Sequence, residues 1–313
     1  MTDTPLHSRI MVPLDGSVAA ERALLTAFEL ARRSGAVLDL VGVISPWTIP
    51  PPRDSDADAV VKGWFAEEEE RVRGYLARAR KKVEGSDVEV RIHARRGPVL
   101  ETLLEWSEEL GTDLVVMTTH GRGGFRRAWL GSVSDGLLRR APWPLLLLPV
   151  EDDEEPGDAF PLQKIVVPVD GSERSEAVLD HAIRLAHLVE GTLSLVTVLP
   201  RPAPADDTHV HYGLSPADST GAILEGLGTY VDGLAAGIRD QGIPVKADAR
   251  QAHGPADGIL AHAEENDADL ILMATRGRGG VRRLMLGSVA DKVIRECRWP
   301  ILVHRVPEDL DTR

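Results

Sequence analysis

The chain contains one α/β pattern twice, and this internal repeat constrains its fold more than any other feature. Ile10 to Leu24 reads IMVPLDGSVAAERAL, and 155 residues later Ile165 to Leu179 reads IVVPVDGSERSEAVL. Asp113 to Pro149 and Asp269 to Arg305 align without a gap, 156 residues apart, with 19 of 37 positions identical. Self-similarity at such a period indicates two homologous domains.

An acidic segment separates the two copies. Glu151 to Phe160 reads EDDEEPGDAF, and six of its first eight residues are acidic. A run of like charges cannot be buried, so it predicts a solvated linker. The total of 313 residues also agrees with two domains, at about 150 residues each. We therefore predict a first domain over residues 1–150, a linker over 151–162 and a second domain over 163–313.

Within each copy, short apolar runs alternate with helical patterns. The first copy has strand-length runs at Ile10–Leu14, Val37–Ile44, Asp87–His93, Leu114–Thr118 and Leu145–Val150, and helical patterns at Ala20–Arg33, Ala66–Val83, Pro98–Leu110 and Ser132–Arg140. Ser17 is the predicted N-cap of the first helix, and Gly35 its predicted end. This alternation requires right-handed crossovers and helices on both faces of a parallel sheet. The predicted fold is α/β, with two homologous Rossmann-like, doubly wound, five-stranded parallel sheets.

Composition excludes several classes of protein. Aromatic residues make up only 4% of the chain, which suits a core of aliphatic residues in a parallel sheet. The net charge of −13 repels phosphate backbones, so nucleic-acid binding is not expected. Cys297 is the single cysteine and cannot form an internal disulfide. Met1 to Arg9 does not resemble a secretory signal, and no apolar stretch reaches the ~18 residues of a membrane span. We expect a soluble cytoplasmic protein that does not bind membranes.

An aspartate follows the first strand of each copy. Asp15 lies in PLDGS and Asp170 in PVDGS. Ligands of doubly wound sheets bind beyond the carboxyl ends of the strands, where the strand order reverses, so these carboxylates are candidate acceptors for a ligand's amino or hydroxyl groups. The alternative is a purely structural role, because DGS is strong turn chemistry.

A glycine- and arginine-rich segment follows the fourth strand of each copy. Met117 to Ser134 reads MTTHGRGGFRRAWLGSVS, and Met273 to Ala290 reads MATRGRGGVRRLMLGSVA. Glycines expose backbone N–H groups, the helix after GS presents a positive dipole end, and the arginines add positive charge. This combination favours polyphosphate binding; the alternative is a surface loop whose arginines pair with nearby acids. Neither a Walker loop nor a dinucleotide fingerprint is present.

Other segments have weaker signals. The Pro-rich inserts Pro46–Asp58 and Pro200–Gly221 follow the second strand of each copy and are candidate lids or plain connections. His209 and His211 lack the further spacing that defines a metal site, so no metal site is predicted. Ser17 and Ser132 have no histidine and acid that the sequence identifies as a triad, and no catalytic residue is assigned.

Both copies resemble the universal stress protein family, and the whole chain resembles its tandem-domain class. The segment after strand four is similar to the family's ATP-binding motif, GxxGx9G[ST]. Its later positions fall on Gly121, Gly131 and Ser132 and, in the second copy, on Gly277, Gly287 and Ser288. Thr118 and Ala274 stand where the motif has its first glycine.

The resemblance implies an adenine nucleotide alpha hydrolase-like fold and one ATP site in each copy. Asp15 and Asp170 match the family's adenosine-binding aspartate, and Val41 and Val196 match a contact from strand two. The implied ATP-binding residues of the first copy are Pro13, Leu14, Asp15, Val41, Met117, Thr118, Gly121, Arg122, Gly123, Gly131, Ser132, Val133 and Ser134. Those of the second copy are Pro168, Val169, Asp170, Val196, Met273, Ala274, Gly277, Arg278, Gly279, Gly287, Ser288, Val289 and Ala290.

The implied function is that of a regulatory, non-enzymatic ATP-binding module of the stress response, with Mg²⁺ as a counter-ion of the nucleotide. Two alternatives remain open, a protein-interaction module that binds no nucleotide and a slow ATPase. We also expect strand five, Leu145–Val150 and Ile301–Val306, to lie at the edge of each sheet. The two edges would then pair in an intramolecular pseudo-dimer, because an exposed apolar edge needs a partner. Homodimerisation of whole chains is a further expectation.

Overall fold

A computed structural model of the protein describes residues 6–45, 57–85, 87–119, 130–149, 157–201, 216–276 and 286–306. The chain divides into two compact units, Met1–Phe160 and Pro161–Arg313, which are described separately below as unit 1 and unit 2.

Unit 1 alternates strands and helices along its described length. Its elements are β1 (Arg9–Pro13), α1 (Val18–Ser34), β2 (Val37–Ile44), α2 (Ala57–Lys81), β3 (Val90–Arg96), α3 (Val99–Leu110), β4 (Leu114–Thr118), α4 (Ser132–Arg140) and β5 (Leu145–Leu148). Within the unit the strand order is β3-β2-β1-β4-β5, and all four neighbouring pairs are parallel. The chain therefore adds β2 and β3 on one side of β1 and then adds β4 and β5 on the other side. Right-handed crossovers place α1 and α2 on one face of the sheet, and α3 and α4 on the other.

Unit 2 has the same order of strands. Its elements are β6 (Lys164–Pro168), α5 (Glu173–Glu176), α6 (Leu179–Val189), β7 (Thr192–Pro200), α7 (Pro216–Arg239), β8 (Val245–Ala252), α8 (Pro255–Glu265), β9 (Leu270–Arg276), α9 (Ser288–Glu296) and β10 (Ile301–Val306). The order within this unit is β8-β7-β6-β9-β10, again with parallel neighbours. The predicted repeated, doubly wound parallel fold is confirmed.

Local sequence signals explain the ends of helix α1. The Ser17 hydroxyl accepts a hydrogen bond from the backbone N–H of Ala20 at 3.2 Å, as expected of an N-cap. Gly35 ends the helix in the left-handed conformation, with φ of 71°, and its N–H donates to the carbonyl of Ala31. Both predicted boundaries of α1 are therefore confirmed.

One aspartate in each unit joins the start of strand one to the start of strand four. Asp113 Oδ2 accepts hydrogen bonds from the Ser8 N–H at 2.7 Å and the Ser8 hydroxyl at 2.6 Å. In unit 2, Asp269 Oδ2 accepts from the N–H groups of Gln163 and Lys164 at 3.1 and 2.9 Å. The repeated sequence thus produces a repeated tertiary contact.

Several predicted boundaries are wrong. Helix α2 begins at Ala57, nine residues before the predicted start, so the end of the first insert is helical. In unit 2, Pro216–Gly221 of the predicted insert likewise belongs to α7. Strand β3 runs from Val90 to Arg96 rather than over 87–93, because it pairs with β2 up to the last residue of that strand, Ile44. Pairing with a neighbouring strand determines this boundary more strongly than the local polarity pattern.

The end of the predicted linker lies against helix α1 in unit 1. The Arg22 guanidinium carbon lies 3.7 Å from the centre of the Phe160 ring, and Arg22 Nε donates to the Asp158 carbonyl at 3.2 Å. The Phe160 N–H donates to the Thr26 hydroxyl at 3.1 Å. Residues 157–160 therefore pack on the first unit. No helix in the described ranges is both long and apolar enough to cross a bilayer.

Candidate functional site

A cleft of about 280 Å³ lies in unit 2 at the carboxyl ends of β6, β7 and β9. This is the place where the strand order reverses, because β6 lies between β7 and β9 although the chain passes through β7 and β8 before it returns to β9. Doubly wound sheets bind ligands at such a position. The volume is close to the lower end of the roughly 300–1,000 Å³ typical of ligand pockets.

Ten residues predicted from the sequence are brought together in the lining of this cleft. They are Pro168, Val169, Asp170, Val196, Met273, Ala274, Gly287, Ser288, Val289 and Ala290. Gly277, Arg278 and Gly279, the other three predicted residues of this copy, lie outside the described residues. The cleft therefore unites segments that are more than 100 residues apart in the chain.

Asp170 is held in a tight turn on one side of the cleft. Its Oδ1 atom accepts hydrogen bonds from the Ser172 N–H at 3.1 Å and from the Ser172 hydroxyl at 2.6 Å. Gly171 permits the turn with a φ of 79°. Burial alone would raise the pKa of Asp170, but hydrogen bonds from Ser172 and Ser175 outweigh it and lower the pKa. The group is therefore a carboxylate at neutral pH, and Oδ2 takes no part in the bonds to Ser172.

The first turn of helix α9 forms another side of the cleft. Gly287 precedes the helix with a φ of 86°, a conformation that favours glycine. The Asp291 N–H donates to the Gly287 carbonyl at 2.9 Å and so forms the first turn. The backbone N–H groups at the start of a helix lack intrahelical partners, and the helix dipole adds a partial positive charge there. Carboxylate and anion-binding elements thus line the same cleft.

Strand ends provide the apolar floor between these two elements. Val196 and Met273 are buried and line the cleft. The Val196 carbonyl accepts a hydrogen bond from the Val169 N–H at 2.9 Å, which extends the pairing of β6 and β7 to the cleft. Ala274, which replaces the glycine of the motif, presents a methyl group to the same space. A flat aromatic ring suits this apolar lining better than a charged group does.

Unit 1 places its predicted residues at corresponding positions. Pro13 ends β1, and Leu14 and Asp15 follow it; Val41 pairs with Pro13; Met117 and Thr118 end β4. Gly131 is the N-cap of α4, and Ser132, Val133 and Ser134 are its first residues. Asp15 Oδ1 accepts from the Ser17 N–H at 2.9 Å, as Asp170 does from Ser172. Gly121, Arg122 and Gly123 lie outside the described residues.

Ser134 differs from the other predicted residues because its hydroxyl has a structural partner. The side chain is buried, and its Oγ donates to the Thr119 carbonyl at 2.8 Å. The same carbonyl accepts from the Gly131 N–H at 2.7 Å. These bonds hold the start of α4 against the end of β4, which is where a ligand of unit 1 would approach.

Sequence reasoning missed eight residues that line the cleft of unit 2, three of which, Val198, Thr275 and Leu286, come from strand ends or immediately precede Gly287. The other five are Ser172, Arg174, Ser175, Pro255 and Ile259. Ser172 and Ser175 could have been predicted, because the DGS turn leads directly into helix α5. Ser172 is the N-cap of this helix, and Ser175 lies in its first turn. Pro255 and Ile259 belong to α8, whose start is marked by Gly254-Pro255 just as Gly97-Pro98 marks the start of α3. That recurring dipeptide was the available signal.

The described residues contain no group of three or more His, Cys, Asp or Glu side chains that could hold a metal ion. His209 and His211 lie outside them.

The model of the universal stress protein family matches residues 7–149 and 161–305 of the chain. The chain belongs to this family. A universal stress protein of Mycolicibacterium smegmatis is 26% identical over 316 residues, which cover 97% of this chain and 99% of the relative. A universal stress protein of Mycobacterium tuberculosis is 24% identical, with 95% of this chain and 96% of the relative covered. A universal stress protein of Methanocaldococcus jannaschii is 32% identical over 149 residues, covering 47% of this chain and 84% of the relative.

Solved structures of the family share the fold over both units. The crystal structure of a universal stress protein from Archaeoglobus fulgidus is similar with a TM-score of 0.66 at 20% identity, and covers 95% of this chain and 98% of that one. A putative universal stress protein from Pseudomonas aeruginosa gives 0.62 at 18% identity, with 97% and 95% covered. The tandem arrangement is therefore shared with other members of the family.

Proposed function

We propose that the protein is a regulatory, non-enzymatic module that binds an adenine nucleotide, ATP in particular, in the cleft of unit 2 and at the corresponding position of unit 1. The observation that carries the proposal is the cleft itself, in which Asp170 and the first turn of α9 line one cavity at the reversal of strand order. We place the protein in the cytoplasm, where universal stress proteins would sense the nucleotide pool.

The orientation of the nucleotide follows from the chemistry of the cleft. The Asp170 carboxylate would accept hydrogen bonds from the ribose hydroxyl groups or the adenine amino group through Oδ2. The adenine ring would lie on the apolar floor around Val196 and Met273. The phosphates would lie at the N-terminus of α9, whose N–H groups and dipole favour anions. Mg²⁺ would accompany the phosphates as a counter-ion.

The fit of the site to a nucleotide is supported by two small residues in its lining, Ala274 and Gly287. Ala274 replaces a motif glycine with a single methyl group, and Gly287 leaves space for the phosphates, since a Cβ atom added there would meet nothing within 4 Å. A bulkier residue at either position would reduce a cavity that is already small.

Titration calorimetry with ATP, ADP and AMP on the whole chain tests the proposal. We expect ATP to bind more tightly than AMP, because the additional phosphates reach the start of α9. We also expect adenine nucleotide to be released when protein purified without added nucleotide is denatured. The affinity should fall as the salt concentration rises, since charge attraction to phosphates is screened. Absence of binding heat for all three nucleotides would contradict the proposal.

We also propose that strand five of unit 1 pairs with strand five of unit 2, in an antiparallel pseudo-dimer. The support is that β5 and β10 are the outermost strands of their own units on the β4 and β9 sides, and that both are rich in apolar residues. Leu147→Pro would remove one backbone donor and should lower the melting temperature, whereas Leu147→Ile should not. Light scattering distinguishes this pairing from homodimerisation, in which strand five pairs with a second chain.

A further inference from the structure

Unit 2 contains a serine, a histidine and an aspartate in a hydrogen-bonded row, away from the nucleotide cleft. Ser194 Oγ lies 2.7 Å from His262 Nε2, and His262 Nδ1 lies 3.1 Å from Asp248 Oδ2. Ser194 is on β7, Asp248 on the neighbouring strand β8 and His262 on helix α8, which covers this face of the sheet. The three residues are joined in the order that nucleophile, base and orienting acid take in serine hydrolases.

The surroundings of His262 favour a neutral imidazole. His262 is 3% exposed, and its burial lowers the pKa more than the Asp248 charge raises it. Arg250 on β8 also lowers the pKa, and Glu265 on α8 raises it. Because Nδ1 faces a carboxylate, the proton of the neutral ring lies on Nδ1. The lone pair of Nε2 therefore faces the Ser194 hydroxyl, which is the arrangement of a base that accepts the serine proton.

Ser194 also lines a cavity of about 630 Å³. This cavity lies at the amino ends of β6, β7 and β8, and shares no lining residue with the nucleotide cleft. The lining on the sheet face of Ser194 includes Lys246, whereas Leu193 and its register partners Ile165 and Val245 point to the opposite face. A small acyl group would find the space that it needs beside the hydroxyl.

Two further residues of this cavity, Asn266 and Lys246, lie next to the pair formed by His262 and Ser194. The Asn266 side-chain amide donates to the His262 carbonyl at 2.9 Å, and its nitrogen lies 3.5 Å from the ring nitrogen that contacts Ser194. Lys246 is paired with Ser194 in the sheet register and lines the same cavity. The Asn266 amide thus holds the end of α8, and the Lys246 ammonium is a group that can stabilise an oxyanion.

We propose that Ser194 is the nucleophile of an acyl-transfer site in unit 2, with small carboxylic esters as its class of substrate. Ser194 Oγ attacks the carbonyl carbon and forms a C–O bond while its proton passes to His262 Nε2. The bond from the carbonyl carbon to the leaving oxygen then breaks, and His262 returns the proton to that oxygen as the alcohol departs. Water repeats the sequence on the acyl-serine, which releases the carboxylic acid and restores the serine.

In this scheme His262 is the general base and Asp248 is a positioning residue. The activity is separate from nucleotide binding, because the two cavities open at opposite ends of the strands. Unit 1 serves as an internal comparison. The positions of Ser194, Asp248 and His262 are occupied there by Asp39, His93 and Trp106, so no corresponding nucleophile is present.

Labelling of the whole chain with a fluorophosphonate probe tests the proposal directly. We expect one adduct, mapped by peptide mass spectrometry to Ser194, and none in Ser194→Ala. His262→Gln should slow the labelling by about 10² or more, in line with the loss of a general base. p-Nitrophenyl acetate then reports turnover, which should rise with pH as His262 loses its proton.

Asp248→Asn distinguishes positioning from simple packing. This variant keeps the shape of the side chain but removes the charge that raises the pKa of His262. We expect slower labelling and a lower midpoint of its pH profile, while ATP binding is unchanged. Ser175, outside this cavity, is a control serine that should remain unlabelled. An unmodified Ser194 in the folded wild-type chain, or equal labelling in His262→Gln, would overturn the proposal.

Discussion

The two units share one backbone plan but differ in the polar groups buried inside it. In unit 2 the face of the sheet beneath α8 contains Ser194 and Asp248, and His262 on α8 contacts both. In unit 1 the corresponding place holds a charged cluster, in which Asp39, fully buried, accepts from Arg9 Nε at 2.6 Å and contacts His93 Nε2 at 2.7 Å. Trp106 lies edge-on to the His93 ring, with ring centres 5.8 Å apart.

This difference has a physical explanation. The aspartate turns after strand one and the Asp113 and Asp269 contacts are present in both units, since both depend on short sequence motifs that the repeat retains. The buried clusters depend on side chains from three separate elements, and each cluster satisfies its own hydrogen bonds. The carboxyl end of each sheet has therefore kept one design, whereas the sheet face under α3 in unit 1 and under α8 in unit 2 has acquired two.

The largest expected effect comes from breaking the charged cluster of unit 1. Asp39→Ala leaves the Arg9 guanidinium and His93 without their buried acceptor, and loss of one partner of a buried ion pair typically costs about 3–5 kcal/mol. Because Arg9 is partly exposed, we expect the lower end of this range. Ser194→Ala at the matched position of unit 2 should cost about 1 kcal/mol. Denaturant unfolding of both variants measures the comparison; equal losses would show that the clusters are energetically alike.

An intermediate effect is expected where α8 approaches β7. A Cβ atom added at Gly258 would lie 2.6 Å from Val198 Cγ1 and 3.0 Å from Ala252 Cβ. Valine is stiff, so Gly258→Ala should destabilise unit 2 by about 1–3 kcal/mol. It should also weaken ATP binding, since Val198 lines the cleft.

Gly237→Ala is the matched control for this substitution. Gly237 lies in helix α7, and an added Cβ atom there meets nothing within 4 Å. The change should stabilise the protein by up to about 1 kcal/mol through helix propensity. Thermal unfolding measures both variants: the melting temperature should fall in Gly258→Ala and rise in Gly237→Ala. A stabilised Gly258→Ala variant would refute the close packing of α8 on β7.

The smallest expected effect is on the pH dependence of stability, which should differ between the two buried clusters. The pKa of His262 is lowered by burial, so its contribution to stability is present above the unfolded pKa, about 6.5, and is lost as the pH falls through the folded value. Burial would raise the pKa of Asp39, but hydrogen bonds from His93 and Arg9 lower it overall. Its contribution is therefore lost only below about pH 4.

Melting temperatures between pH 8 and pH 3 measure these two windows. His262→Gln should flatten the dependence that begins as the pH falls below about 6.5, and Asp39→Asn should flatten it below about pH 4. If the melting temperatures of His262→Gln depended on pH as those of the wild type do, His262 would not be the source of the loss of stability below about pH 6.5.

The sequence predicted the framework better than it predicted the buried polar groups. Strand β2, strand β4 and helix α4 have the predicted boundaries, because apolar runs and the GS start of a helix are local signals. The start of α2 was missed because its first residues continue a Pro-rich, acidic stretch. The row from Ser194 to Asp248 was not predictable, because it requires the register of β7 against β8, in which Val196 pairs with Asp248. Such a register is a tertiary property.

ATP titration of single aspartate variants tests the central claim that the two carboxyl ends have kept one design. We expect two ATP molecules per wild-type chain. Asp15→Asn and Asp170→Asn should each weaken one of the two sites by about tenfold or more, because a hydrogen bond to a charged group contributes roughly 1.5–3 kcal/mol. Asp180→Asn, at an exposed position on α6, should bind as the wild type does. Two unchanged sites in both Asp15→Asn and Asp170→Asn would contradict the account.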